Sequence, residues 1–256
     1  MNKSYKTIHI AKHKRAFRKV VSLSEEYNTL LKSYLPELEN LFFLREQNTL
    51  SYGFIPGRNC VENARQHIGY ELVLSLDIKN FFDCIDESHA GDILPNHIVK
   101  DCFIGGILAQ GMPTSPIISN ILFISIDEEI NDFLKKTIGD FSYSRYADDL
   151  TFGFRELEYI ETIELKVMEI LSKYSFYLNS KKTKLQRLSG GRIIICGVAI
   201  DESSVYPTRK TLRKIRAAAH QQNYSSLIGL KEWAKCKVPS KRSNESVDEV
   251  KRDGGF

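Results

Sequence analysis

The sequence predicts an α+β fold in which helices cover one face of an antiparallel sheet. Two observations predict the sheet: an apolar run at residues 72–76 ends in Asp77, and two strand-like runs flank the adjacent acids Asp148 and Asp149. The order of elements around these acids, which is strand, helix, hairpin and helix, predicts the covering helices.

Periodicity and turn residues predict the remaining elements in order. Residues 5–11 and 18–23 are predicted to form a strand hairpin with a basic turn, and a helical pattern at about 24–43 follows, interrupted by Pro36. A loop is predicted at 49–60. The elements predicted beyond it are a helix at 60–68, a strand at 71–78, a long helix from Pro116 to Gly139, the hairpin of the two acids, a helix at 156–175, a strand at 192–200, and helices at 208–222 and 225–236.

The composition is that of a soluble globular protein, with 42% hydrophobic and 27% charged residues among 256. No apolar run approaches the ~18 residues of a membrane span, and the N-terminus does not resemble a signal peptide, so we expect a cytoplasmic protein without membrane contact. Five cysteines without CxxC spacing predict reduced thiols rather than a zinc ribbon or a disulfide framework. The polar tail at 239–256 is expected to be disordered.

Positive charge is concentrated in two stretches, although the formal net charge is only +4. One runs from Lys3 to Lys19 and the other from Ser203 to Lys231, and neither contains an acid. Two basic segments on either side of an acidic centre would suit a polyphosphate backbone held across a metal site. Basic stretches are often simply solvated faces, so charge alone does not decide for nucleic acid.

The acids themselves point to a divalent cation. Asp148 and Asp149 make a poor hairpin turn, because like charges crowd and neither residue is glycine. Asp77 closes a buried strand, where a carboxylate is costly unless it is paired or bound to a metal. The three carboxylates are those that a two-metal phosphoryl-transfer site needs. The alternative is a solvent-exposed acidic turn without a metal.

Three motifs occur in a specific order: Asp77-Ile-Lys-Asn-Phe-Phe82, Gln110-Gly-Met-Pro-Thr-Ser-Pro116 and Tyr146-Ala-Asp-Asp149. With them the chain resembles the reverse transcriptases over about residues 5–236. The resemblance implies a right-hand polymerase fold whose antiparallel palm sheet is backed by helices. It places the fingers at 1–70, the palm at 71–200 (with part of 84–115 assignable to the fingers) and a short basic thumb at 201–238.

The resemblance also implies catalytic roles. Asp77 and Asp148 would hold two Mg²⁺ ions, with Mn²⁺ able to replace them, and Asp149 would support the metals as an auxiliary acid. Lys182, with Lys184 as the alternative, would protonate the leaving pyrophosphate. A solvated lysine cluster is the other interpretation of this segment.

Nucleotide-binding roles follow in the same way. Lys12 and Arg18 would grip the triphosphate of a deoxynucleotide, with Lys14 and Arg15 as alternative candidates. Phe82 would act as the steric gate against a 2′-hydroxyl, whereas Phe81 is expected in the core. Gln110 would contact the incoming nucleotide, and Gly111 would allow close backbone approach.

The sequence Asn63-Ala-Arg-Gln-His67 is similar to the Asn-Ala-x-x-His signature of retron reverse transcriptases. Such enzymes copy part of a structured non-coding RNA, which serves as template and primer, into branched RNA-linked DNA during antiphage defence, alongside a separate effector or toxin protein. Asn63 and His67 are therefore candidates for RNA contact, as are Arg209 and Arg213 of the thumb. His67 as a structural histidine remains the alternative.

Two departures from the retron pattern stand out. Ile195-Cys196-Gly197 replaces the usual Val-Thr-Gly, which exchanges a hydroxyl for a weakly hydrogen-bonding thiol. The chain also begins almost directly at the fingers hairpin. The alternatives are another bacterial defence reverse transcriptase, a group II intron or diversity-generating enzyme, or a nucleic-acid-binding scaffold that controls a toxin partner.

Overall fold

The computed structural model describes residues 4–11 and 17–237, and two antiparallel strands open the chain. Strands β1 (Tyr5–Ala11) and β2 (Phe17–Leu23) pair along their whole length, and every residue of β1 is exposed. This pair is the hairpin that the sequence predicted. Its predicted basic turn, which includes Lys12, lies outside the described residues, as does the predicted disordered tail at 239–256.

Two helices follow where one interrupted helix was predicted. Helix α1 (Glu25–Ser33) is capped at its N-terminus by Ser24, whose hydroxyl accepts a hydrogen bond from the backbone nitrogen of Tyr27 at 3.3 Å. Helix α2 (Leu35–Arg45) has Pro36 in its first turn, where a missing N–H costs nothing. The interruption is therefore the start of a new helix.

A four-stranded antiparallel sheet forms the centre of the molecule, in the order β4–β5–β3–β6. Its strands are β3 (Leu72–Asp77), β4 (Ser142–Tyr146), β5 (Asp149–Phe154) and β6 (Lys184–Arg187). Strand β6 was not predicted, because four residues with two basic ends carry too little alternation to signal a strand. The register places Asp77 directly opposite Asp149.

Helices α6 (Ser115–Thr137) and α7 (Tyr159–Lys173) pack against each other, and α6 also packs against α2. They bury one continuous apolar cluster with the central sheet. Fully buried members include Phe42 of α2, Phe123 of α6 and Phe152 of β5. Each buried aromatic side chain removes a large apolar area from water, so this cluster supplies much of the driving force for folding.

A second, smaller sheet corrects the prediction of a single strand at 192–200. The chain folds into β7 (Ile193–Ile195) and β8 (Val198–Ile200), joined by a two-residue turn, and β9 (Val205–Pro207) completes the sheet. Cys196 and Gly197 have φ values of 46° and 82°, which is the left-handed pair that a tight hairpin turn requires. The sheet packs on helix α3 (Cys60–Arg65) around a separate apolar cluster.

Four further helices complete the described chain. Helices α4 (Glu87–Ala90) and α5 (Asn96–Cys102) lie in the stretch 84–115 and are too short for periodicity to predict. Helices α8 (Arg209–His220) and α9 (Tyr224–Ala234) pack against each other near the end, close to the predicted positions. Within the described residues, no helix combines the length and the apolar character needed to cross a bilayer.

Candidate active site

Three carboxylates meet at one end of the central sheet. Asp77 ends β3, Asp149 begins β5 opposite it, and Asp148 precedes Asp149 in the β4–β5 turn. The backbone nitrogen of Ile78 donates a hydrogen bond to the carbonyl oxygen of Asp148 at 2.9 Å, which joins the turn to the end of β3. Asp77 is only 6% exposed. The sheet register and the tight β4–β5 turn therefore bring the three predicted acids together.

Burial and mutual repulsion raise the pKa of two of these acids. Burial raises the pKa of Asp149 to about 6, and the charges of Asp148 and Asp77 add to the rise. Burial also raises the pKa of Asp148, with a further contribution from Asp77, while the Lys182 and Arg18 cations partly offset it. A bound divalent cation would reverse both effects, because it would stabilise the ionised carboxylates.

Asp77 is held by two residues of the segment that precedes β6. The Lys182 ammonium donates to Oδ2 of Asp77 at 2.6 Å, and the Asn179 amide donates to Oδ1 at 3.1 Å. The backbone nitrogen of Asn179 also donates to the Asp77 carbonyl oxygen at 2.8 Å. Lys184, the alternative candidate, instead donates to Gln186 at 2.8 Å. Of the two lysines, Lys182 is thus the one at the acids.

The donor atoms suit a hard divalent cation, since Mg²⁺ and Mn²⁺ prefer carboxylate oxygens. Among the described residues, however, no group of three or more His, Cys, Asp or Glu side chains is arranged to hold a metal ion. Lys182 instead forms an ion pair with one of the three carboxylates. The chemistry of the donor set therefore fits the predicted metals, whereas its arrangement here is centred on a lysine.

A cavity of about 470 Å³ contains four of the predicted nucleotide-binding residues. Arg18 enters it from β2, Phe82 from the short 3₁₀ turn that follows β3, and Gln110 and Gly111 from the loop before α6. Phe82 is half-buried at the cavity wall, whereas Phe81 is buried against Phe123 and Phe176. The fifth predicted residue, Lys12, lies outside the described residues.

Gly111 is required by the contact between this loop and β2. It has φ +102°, and a Cβ there would lie 2.4 Å from the carbonyl oxygen of Val21. The backbone nitrogen of Val21 donates to the carbonyl oxygen of Gln110 at 2.8 Å. The close backbone approach predicted at Gly111 is therefore, in the structure, an approach by the β1–β2 hairpin.

A buried arginine lies directly beneath the acidic turn. The Arg145 guanidinium is 0% exposed and donates through Nε and Nη2 to Asp127 of α6 at 2.8–3.0 Å. Its Nη1 donates to Oδ1 of Asn120 at 2.9 Å and to the carbonyl oxygen of Ala147 at 3.2 Å. Ala147 has φ 57°, so the arginine holds a left-handed residue immediately before Asp148.

The same network reaches the loop before α3. Asn120 donates through Nδ2 to the carbonyl oxygen of Gly53 at 2.7 Å. The backbone nitrogen of Tyr52 donates to the carbonyl oxygen of Arg145 at 2.8 Å. A Cβ on Gly53 would lie 2.8 Å from the backbone nitrogen of Ala147. Loop, helix and turn are thus fixed to one another around a single ion pair.

Asn63 and His67 were predicted as candidates for RNA contact. The structure corrects this prediction, because both are interior residues that are 0% exposed. The two ring nitrogens of His67 lie 2.6 Å from the hydroxyls of Ser142 and Ser144, so the ring ties the turn after α3 to β4. Asn63 donates to the Cys196 thiol at 3.7 Å, while its Oδ1 is buried without a hydrogen-bond partner. The two retron-like segments therefore touch each other inside the protein.

Helix α8 carries the predicted thumb arginines on its outer face. Arg209 and Arg213 are exposed, whereas Thr211 and Ala218 face inward. Arg209 and Lys210 line a second cavity, of about 600 Å³, together with glycines of the loop before β7. These arginines are therefore free to face a ligand outside the protein, in contrast to Asn63 and His67.

Most of the chain matches the model of a known protein family. The model of the family described as "Reverse transcriptase (RNA-dependent DNA polymerase)" matches residues 10–224, which is most of the sequence. The chain belongs to the reverse transcriptase family. The membership predicted from the Asp77, Gln110 and Tyr146 motifs is thereby confirmed.

Several retron reverse transcriptases are similar to this family member. The Mx65 enzyme of Myxococcus xanthus is 26% identical over 199 residues, covering 67% of this chain and 46% of that protein. The Ec83 enzyme of Escherichia coli is 30% identical over 210 residues, covering 75% of this chain and 61% of that protein. The chain thus spans about half to three-fifths of their lengths. The predicted likeness to retron enzymes is confirmed.

Solved structures of reverse transcriptases and telomerases share the fold. Telomerase from Candida albicans, in complex with a telomeric RNA fragment, superposes with a TM-score of 0.59 at 14% identity, covering 80% of this chain and 46% of that one. The foamy viral protease–reverse transcriptase bound to double-stranded DNA gives 0.56 at 17% identity, covering 90% and 36%. The predicted α+β fold of a polymerase, with an antiparallel sheet backed by helices, is confirmed.

Sequence reasoning missed the residues that support the acids in this reverse transcriptase. The residue types of Arg145 and Asp127 did not predict burial, because charged residues in a strand and a helix are usually exposed. Asn120 and Asn179 are equally silent, although Asn179 lies in the lysine-containing segment that was singled out. The one available signal was the position of Arg145, two residues before the Asp77-facing hairpin turn.

Replacing Arg145 by methionine, which removes the charge at similar length, is expected to lower the free energy of unfolding by ~3–5 kcal/mol, because Asp127 would be left buried without its partner. Urea denaturation measures this change. A double variant, Arg145→Met with Asp127→Leu, should recover much of the loss. The matched control is Arg155→Met, which breaks an exposed ion pair with Asp140 and should change stability little. Equal losses in both single variants would contradict the role of the buried pair.

Burial lowers the pKa of His67 to about 3, so the folded protein resists a proton that the unfolded chain accepts near pH 6.5. The part of the stability that depends on a neutral His67 is complete above pH 6.5, and it falls by ~1.4 kcal/mol per pH unit as the pH drops from 6 to 4. Protonation of Asp149, whose pKa is raised to about 6, acts in the opposite direction over the same range, and it does so in the unaltered protein and in its histidine variants alike. Urea denaturation across this range should show that the slope of stability against pH differs by ~1.4 kcal/mol per pH unit between His67→Gln and the unaltered protein, whereas His97→Gln, at a half-exposed position, keeps the slope of the unaltered protein. An unchanged slope in His67→Gln would rule out this histidine as the cause.

Proposed function

We propose that this chain is an RNA-directed DNA polymerase of retron type. It copies a cognate structured non-coding RNA, which serves as template and primer, into single-stranded DNA joined to that RNA by a branched linkage. The observation that carries the proposal is the meeting of the Asp77, Asp148 and Asp149 carboxylates with Lys182 at one end of the central sheet. Arg18, which lines the cavity together with Phe82 and Gln110, is close enough for its charge to act on Asp148. The family membership and the similarity to retron enzymes support it.

The reaction proposed for this site is nucleotidyl transfer. Two Mg²⁺ ions, or Mn²⁺ in their place, held by Asp77 and Asp148 with support from Asp149, would activate the primer hydroxyl and stabilise the leaving pyrophosphate. Lys182 is positioned next to these carboxylates and, as a cation, can donate a proton to the leaving phosphate oxygen. Its ion pair with Asp77 keeps it charged, since the hydrogen bond with Asp77 raises the pKa of Lys182.

Substrate selection is proposed to lie in the cavity. Arg18 holds the triphosphate of a deoxynucleotide, with Lys12 assigned the same role from the sequence. Phe82 presents a ring at the wall of a confined space, which suits a steric gate that leaves no room for a 2′-hydroxyl. Gln110 contacts the incoming nucleotide. Arg209 and Arg213 bind the phosphate backbone of the RNA or the hybrid through their exposed cations.

The division of the chain is proposed to follow the family. The β1–β2 hairpin and following helices at 1–70 form the fingers, the central sheet with its helices at 71–200 forms the palm, and α8 and α9 at 201–238 form a short thumb. We further propose that the protein acts in the cytoplasm in antiphage defence, alongside a separate effector or toxin protein. This part rests on the similarity to retron enzymes alone.

Primer extension on an RNA template tests the polymerase proposal. Asp148→Asn keeps the shape and removes the charge, and it should lower the rate about a thousandfold, because several kcal/mol of transition-state stabilisation are lost. Asp77→Asn should behave in the same way. The matched control is Asp83→Asn, at an exposed acid that directly follows the Asp77 motif, and this variant should extend the primer at the normal rate. Synthesis at the normal rate by Asp148→Asn would refute the site.

The nucleic acid that co-purifies with the protein tests the retron proposal. When the chain is expressed with its native flanking locus, we expect single-stranded DNA whose mobility shifts after debranching treatment. Unbranched DNA would contradict the retron type but support a polymerase, namely another bacterial defence, group II intron or diversity-generating reverse transcriptase. Absence of DNA, with Asp148→Asn behaving like the unaltered protein, would favour a nucleic-acid-binding scaffold.

A further inference from the structure

One aromatic residue of the cavity wall has an unusual backbone conformation. Phe54 has φ 63°, in the left-handed region that bulky side chains avoid. Its neighbour Ile55 is buried at 3% exposure, whereas Phe54 itself is 48% exposed. The left-handed conformation thus turns a large apolar ring away from the core and towards the cavity that Phe82 and Gln110 also line.

The surrounding contacts hold this strained conformation in place. The carbonyl oxygen of Gly53 accepts the Asn120 amide at 2.7 Å, and Tyr52 is hydrogen-bonded to the backbone of Arg145. Gly53 also lies directly against Ala147 of the acidic turn. A left-handed non-glycine residue costs ~1–3 kcal/mol and persists only where its surroundings fix it, most often at functional sites.

Packing within the protein does not account for the orientation of the ring. Its one ring partner in the described structure is Tyr146, at 6.3 Å between centroids and tilted by 43°. About half of the surface of this residue remains open to solvent, at the wall of the cavity. An exposed aromatic face at such a position is the arrangement that proteins use to stack nucleobases.

We propose that Phe54 is a stacking residue for a nucleobase of the base pair that forms during synthesis. This inference rests on the proposed polymerase function and adds a subsite to it. In the proposed function the negatively charged phosphates of a nucleotide are matched by the Arg18 and Lys182 cations, and the sugar is matched by Phe82. The remaining part of a nucleotide is a flat uncharged base, and Phe54 is the exposed aromatic ring left to meet it.

The sharpest test replaces Phe54 by glycine, which accepts the left-handed conformation without strain. The KM for deoxynucleotides should rise about tenfold, in line with the loss of one stacked base, while kcat changes little. The melting temperature should stay the same or rise, because strain is removed. Phe54→Tyr, which keeps the ring, should restore the normal KM. A purely structural role predicts the opposite pattern, in which the glycine variant melts earlier.

Two substrates distinguish the template base from the incoming base. If Phe54 stacks on the template base, the difference in KM between the unaltered protein and Phe54→Gly disappears on a template with an abasic site at the copied position. If it stacks on the incoming base, the difference persists there and is larger for purine than for pyrimidine nucleotides. A KM for Phe54→Gly equal to that of the unaltered protein on intact templates would overturn the inference.

A binding measurement separates this inference from the polymerase proposal. An RNA template carrying 2-aminopurine at the copied position is annealed to a primer that lacks a 3′-hydroxyl, so that no synthesis occurs. Binding of the unaltered protein or of Phe54→Tyr should change the fluorescence, and Phe54→Gly should change it less at saturation if the template base is the one stacked. To test the incoming base, the same duplex without the fluorescent template base is bound together with a deoxynucleotide that carries a fluorescent base. Identical signals for all three proteins with both probes would overturn the inference even if synthesis is normal.

Discussion

The acidic turn depends on one buried ion pair, between Arg145 and Asp127. Isolated charges of this kind are expensive to bury, and only complete hydrogen bonding makes them tolerable. Here the guanidinium reaches the aspartate, Asn120 and the carbonyl oxygen of Ala147, while Tyr143 donates its hydroxyl to Asp127 at 2.7 Å. Strand β4, helix α6 and the turn are thereby fixed by groups that cannot move independently, so the position of the acids is set from within the core.

The acids themselves work against the stability of the fold. Antiparallel pairing puts Asp77 opposite Asp149, and like charges at such positions repel. Lys182 and Asn179 offset part of this repulsion by holding Asp77. The protein therefore keeps an unfavourable concentration of negative charge in a rigid setting, which is the arrangement expected where a ligand of opposite charge is to be bound.

The sequence predicted the parts of the site that obey simple rules. The apolar run that ends in Asp77 and the hairpin around Asp148 can be recognised in the sequence, because the pattern of a strand and the cost of burying a carboxylate are both apparent within a few consecutive residues. The β7–β8 turn was missed, since Ile193–Ile200 is almost continuously apolar and Cys196 gives no sign of a left-handed conformation. Arg145 and Asn120 were missed because their partners come from distant segments. Burial of Asn63 and His67 depends on the same long-range packing, so the motif was visible but its location was not.

The contact at Gly111 links the β1–β2 hairpin to the loop that lines the cavity. The β1–β2 hairpin is exposed along β1, and its hydrogen bond from Val21 reaches the same residue, Gln110, whose side chain lines the cavity. Because the two backbones touch without an intervening side chain, the hairpin cannot tilt without shifting Gln110. Any displacement of the hairpin at Val21 would therefore also displace Gln110, so the position of the hairpin and the width of the cavity depend on each other.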